Sequence, residues 1–139
     1  MRWPDRPVEI GQLAVTAGSN HAVRASLAYS GSEAGRARGL VAGACEGLPE
    51  DLVNTAQLLT SELVTNAVMY GDGELEMRVR RSPDQVLVEV LDQSPEEPEL
   101  LPLDPDRPGG NGLRLVQALA YQWGIAHFPR SKSVWFVVR

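Results

Sequence analysis

The chain has 139 residues, 43% of them hydrophobic, and a formal net charge of −5. That length and apolar content suit one domain with one core. The acidic balance, with no basic cluster, argues against nucleic-acid binding through a phosphate-tracking surface.

No apolar run reaches the ~18 residues of a membrane span. The start, MRWPDRPVEIGQ, lacks the basic-then-apolar order of a signal peptide. The single cysteine, Cys45, cannot form an internal disulfide and reads as a small packing residue near a helix end. These features favour a cytoplasmic protein with no membrane partner. Positive charge comes from twelve arginines and one lysine, Lys132. A lysine is a compact point charge suited to a phosphate, though a lone surface lysine has the same signature.

Residues 1–24 have no clear period and read as an irregular lead-in. ASLAYS (25–30) is a candidate first strand. Ser32 can cap a helix from Glu33 to about Cys45. Pro49, with Glu50 and Asp51 behind it, starts a second helix that runs to about Met69 and stops at Gly71 and Gly73. LEMRVR (75–80) alternates apolar and charged residues, and VLVEVLD (86–92) follows a short turn, which predicts an antiparallel hairpin. Residues 94–110 hold five prolines and end in two glycines, so they cannot form a regular element. A helix over 111–121 and strands over 123–128 and 134–138 complete the chain. This order predicts an α+β fold, a two-layer sandwich of a mixed, mainly antiparallel sheet with helices on one face.

The second helix carries TSELVTNA (60–67). Glu62 and Asn66, one turn apart, share a face. Apolar residues surround most of the helix, so it is covered on more than one side. A polar pair in such a place is costly unless partnered. It forms either the floor of a pocket or a satisfied helix–helix contact. Asp92 ends a strand and can accept a hydrogen bond from an amine. GGNGLRLV (109–116) places glycines before a helix whose free amides suit an anion, or it is a plain loop-to-helix junction. His21 and His127 lack metal-ligand spacing. Trp123 and Trp135 read as core, and Arg36 and Arg38 as a solvated helix face.

SELVTNA, VEVLDQS, GGNGLRLV and SKSVWF, in that order, resemble the histidine-kinase-like ATPase superfamily of gyrase, MutL and sensor histidine kinases. The chain is most similar to the small branch typified by anti-sigma factor serine/threonine kinases. The resemblance runs from Ala25 to Val138 and implies an ATP-binding domain over 25–139. It implies ATP and Mg²⁺ as cofactors, with Asn66 as the metal ligand and Glu62 as the catalytic base. It implies that Asp92 binds the adenine amine, with Ser133 close to adenine and its water. Gly109, Gly110, Asn111, Gly112 and Leu113 would form the lid and phosphate turn, with Lys132 at the lid or phosphates. The implied partners are ATP or ADP, a sigma factor, an anti-sigma-factor antagonist and a second copy of the chain.

Some positions depart from the family pattern. Tyr70 stands where His is common, Ser131 where Gly is common, and Gln93-Ser94 replaces a glycine turn and leaves less room at the base. The lid, Pro95 to Pro108, is short and proline-rich. Two functions fit these residues. One is a protein serine/threonine kinase of the anti-sigma type. The other is a non-catalytic module in which nucleotide orders the lid and so gates protein binding. A scaffold that has lost nucleotide is a third, against which Asn66 and Asp92 both speak.

Overall fold

In the computed structural model the described residues are 21–96, 106 and 112–139. Most of the lead-in and of the 94–110 loop, with Gly109, Gly110 and Asn111, lies outside them. Five strands and three helices follow in chain order: β1 (His21–Leu27), α1 (Glu33–Ala44), α2 (Glu50–Tyr70), β2 (Leu75–Arg81), β3 (Val86–Asp92), α3 (Gly112–Leu119), β4 (Gln122–Phe128) and β5 (Ser131–Val138). The strands form one sheet in the order β1-β2-β3-β5-β4. Every pairing in it is antiparallel.

Strand alternation decides which face is core. Met77, Val79, Val86, Val88, Val90, Val134, Phe136 and Val138 are buried in one cluster with Ala37, Val41, Leu59, Leu63, Val64 and Val116 of the helices. All three helices therefore cover one face of the sheet, giving the two-layer α+β sandwich. Each fully buried side chain of this size contributes about 1.5–3 kcal/mol.

Two strand boundaries and one helix cap differ from expectation. The first strand begins at His21 and ends at Leu27, because it follows β2 residue for residue from Arg81 to Leu75. Ser32 does not cap α1; its Oγ shares a 2.9 Å hydrogen bond with Ser30 Oγ. Glu33 instead ties the helix start to β1, accepting from Ala28 N at 2.9 Å and Arg36 Nη1 at 3.0 Å. The last strand starts at Ser131 rather than Val134, which turns Lys132 and Ser133 into strand residues with fixed faces.

The C-terminus of α1 has no basic residue of its own in its last turn. Arg81 supplies that charge from β2, donating from Nε to Ala44 O at 3.1 Å and from Nη2 to Glu46 O at 2.5 Å. Cys45 beside it is fully buried, and burial pushes its thiol pKa up.

Met77 is fully buried at the centre of the helix-facing side. Met77→Ala is expected to cost about 2–5 kcal/mol, measured as a lowered midpoint in urea with an unchanged m-value.

Candidate functional site

Helix α2 buries Ala56, Leu59, Thr60, Leu63, Val64 and Ala67. Leu58 and Met69 are exposed, and Glu62 and Asn66 are half-buried between these two conditions. The first residue of α3 approaches this half-buried strip. A Cβ placed on Gly112 would lie 3.1 Å from Glu62 Cβ, 3.2 Å from Glu62 Oε2 and 3.4 Å from Asn66 Nδ2. Such contacts are tighter than ordinary packing, so the missing side chain lets α3 begin directly against the polar pair. The positive end of the α3 dipole is thereby aimed at the Glu62–Asn66 strip. Burial, with no compensating partner among the described residues, raises the Glu62 carboxyl pKa.

The other end of the site is built where α2 stops. The chain leaves the helix at Gly71, where a Cβ would strike the Ala67 carbonyl and stand 3.3 Å from Asp92 Cβ. Asp92 therefore sits close under the helix end. The turn beyond is stitched to the end of β3. Gln93 N donates to Asp72 O at 2.8 Å, Glu74 N donates to Gln93 Oε1 at 2.9 Å, and Tyr29 Oη donates to Gly73 O at 2.9 Å. Gln93, which leaves less room in the sequence reading, is thus a brace. Its side chain fills the space over Gly73, whose φ of 67° itself favours glycine.

Asp92 is 4% exposed and Lys132 equally so. They are cross-strand partners on β3 and β5. Lys132 Nζ donates to Asp92 Oδ1 at 2.8 Å and to Ser94 O at 3.2 Å. Ser94 N also donates to Asp92 Oδ1, at 2.7 Å. Lys132 is therefore held at the Asp92 end, beside the residue that precedes the lid. Removing one partner of a buried pair typically costs about 3–5 kcal/mol, because the other charge is stranded.

Ser133, expected close to adenine, does not share this end of the site. It is one residue on from Lys132, so its side chain points to the far face of the sheet. There its Oγ donates to Glu89 Oε2 at 2.7 Å. It does not meet Asp92. The boundary shift of β5 is the reason: period two carried back from Phe136 and Val134 reaches Lys132, and Ser133 falls between. That alternation was the signal that could have put Lys132 rather than Ser133 on the helix-facing side. Leu113 is buried in the α3 start, 2% exposed, and packs in the core.

The donor set fits the groups that the sequence reading implies. Asn66 offers an amide oxygen, a hard ligand of the kind Mg²⁺ takes alongside phosphates and water, and Glu62 offers a carboxylate that can accept a proton. Asp92 keeps Oδ2 available for an amine, since both of its hydrogen bonds among the described residues go to Oδ1.

A sequence profile described as histidine kinase-like ATPase domain matches residues 25–137. The chain belongs to that family. Membership implies a site for ATP. Among solved structures, the chain resembles the RsbU and RsbW domains of Rv1364c from Mycobacterium tuberculosis, with a TM-score of 0.64 and 18% identity. The match covers 86% of this chain and 32% of that one, so the chain spans about a third of the length of its structural relative. A comparison with curated proteins gave no match. No helix among the described residues is long and apolar enough to cross a membrane.

Two predictions follow from this geometry. Gly112→Ala should weaken Mg-ATP binding by roughly ten- to a hundredfold, the scale of 1–3 kcal/mol of overpacking, read by calorimetry. Glu89 also has a pKa raised, chiefly by burial. Its folded carboxyl holds a proton that the unfolded chain has already released, so stability falls as pH climbs from the ordinary glutamate value to the raised one. Glu89→Gln should remove that decline, seen as a flatter curve of Tm against pH.

Proposed function

We propose that this chain is a Mg-ATP-dependent regulatory protein of the anti-sigma type that phosphorylates a serine or threonine on an antagonist protein. The observation that carries the reading is the contact of Gly112 with Glu62 and Asn66. It joins an acid, an amide and a helix N-terminus at one point, with Asp92 beyond the end of the same α2. Phosphoryl transfer needs little more from a protein than positioning and charge stabilisation.

In this reading Asp92 holds the adenine amine. Gly112 leaves room for the phosphates at the α3 amides, together with Gly109, Gly110 and Asn111, which precede it in the sequence. Asn66 would hold Mg²⁺, which neutralises phosphate charge when bound. Glu62 takes the proton from the acceptor hydroxyl. Its raised pKa makes it a stronger base than an exposed glutamate and delays its ionised form to higher pH. The protein partners are an antagonist carrying the hydroxyl and the sigma factor that it releases, in a cytoplasmic setting. The RsbW domain named in the structural relative is compatible with that assignment.

A second reading keeps the nucleotide and drops the chemistry. The braced turn at 71–74 and the paired Asp92 form a rigid base end, so nucleotide binding could order the neighbouring loop and gate a protein contact without transfer. The two readings separate at Glu62. Calorimetry with MgATP should show saturable binding that Asn66→Ala weakens by about tenfold or more. With a cognate antagonist and labelled ATP, Glu62→Gln should lower the transfer rate by roughly 10²–10⁴-fold while leaving ATP bound. The wild-type rate should rise with pH through the Glu62 ionisation. Transfer by Glu62→Gln at the wild-type rate would rule out the kinase assignment for this residue.

A further inference from the structure

Lys132 is the one lysine of the chain and is almost fully buried. Its side chain lies on the helix-facing side of the sheet, where the neighbouring positions of β5 are Val134, Phe136 and Val138. A lone ammonium on an apolar face must be held by strong acceptors. Asp92 Oδ1 and Ser94 O account for two of its three N–H groups. Among the described residues the third has no partner, and neither does Asp92 Oδ2. The end of the site therefore offers one acceptor and one donor side by side, fixed by a cross-strand pair.

Two features keep Lys132 in place when a ligand arrives. Leaving would strand the Asp92 charge in a buried position. It would also forfeit two hydrogen bonds made by a charged donor, the one to Asp92 short. A ligand is then met by both groups together. The edge that complements an acceptor beside a donor is a donor beside an acceptor. The Watson–Crick edge of adenine has that form: the exocyclic amine next to the unprotonated ring nitrogen N1.

We propose that Lys132 reads the base jointly with Asp92. Asp92 Oδ2 accepts from the adenine amine, and Lys132 donates its remaining N–H to the ring nitrogen beside that amine. Lys132 is thus a specificity residue at the base end, and the inference rests on the nucleotide-binding reading above. A charged donor replaces the neutral hydroxyl or water that could fill such a place, so loss of the ring nitrogen is felt strongly.

The experiment titrates the full chain, with Mg²⁺ present, against three nucleotides by calorimetry. They are ATP, 1-deaza-ATP, which has a C–H in place of that ring nitrogen, and purine riboside triphosphate, which lacks the amine. Wild type is expected to bind each analogue about tenfold or more weakly than ATP, as for loss of a hydrogen bond to a charged group. Lys132→Met is expected to lose the preference for ATP over 1-deaza-ATP and to keep the preference over the amine-lacking analogue. Equal binding of ATP and 1-deaza-ATP by wild type would overturn the role of Lys132 and leave the nucleotide site standing. A Lys132→Met protein that still discriminates against 1-deaza-ATP would do the same. Should that variant fail to fold, the wild-type comparison decides alone. Failure of wild type to bind any of the three would overturn the nucleotide reading itself.

Discussion

Helix α2 lies against the sheet and packs on both α1 and α3, and the size of the side chains at these contacts sets the distances. Ala56, Val64 and Ala67 are small and fully or nearly fully buried. They let the helix axis come close to the strands. Glu62 and Asn66 face the other way and are held half-open because Gly112 adds no side chain between them and α3. A polar strip in the middle of an otherwise apolar helix is unfavourable on its own terms. It persists where the helix N-terminus beside it supplies donors and a favourable field. The whole site is a consequence of packing one helix on two sides and leaving the second side unfinished.

The base end is governed by a different constraint. Asp92 ends a strand buried along its entire length, so its charge requires a counter-charge. Lys132 provides it from the adjacent strand. The geometry follows from the register, since Asp92 and Lys132 are direct partners. The same register sends Ser133 to the opposite face, where it relieves part of the cost of burying Glu89. One shift of a single residue would exchange these two assignments and strand both carboxylates.

Much of this was legible in the sequence because hydrophobic period and turn chemistry act locally. The hairpin of β2 and β3, the length of α2 and its stop at Gly71 all come from such local signals. So does the pairing of Glu62 with Asn66 on one face. The strand bounds at 21 and 131 were less legible, since there the strands run on only because a neighbour's backbone is present to pair with. Ser32 resembles a cap, but the Glu33 carboxylate reaches Ala28 and takes over the helix entry. The Lys132–Asp92 pair depends on which strand lies beside which, a long-range fact that no local window contains. Ser133 falls on the far face because β5 begins at Ser131, ahead of its apolar run. Gly109, Gly110 and Asn111, expected in the lid and phosphate turn, lie outside the described residues.

The Gly73–Gln93 contact has a bearing on how this chain can vary. The glycine has no side chain because the glutamine occupies that volume, and the glutamine reaches Glu74 N because the volume is vacant. Neither position is free to drift while the other stays. A larger residue at 73 would need a shorter one at 93, and a shorter one at 93 would leave the Glu74 amide to find another acceptor. In a set of relatives the two columns should therefore change together, and chains with a glycine turn after the aspartate should show a different residue, or a different loop length, some twenty positions earlier.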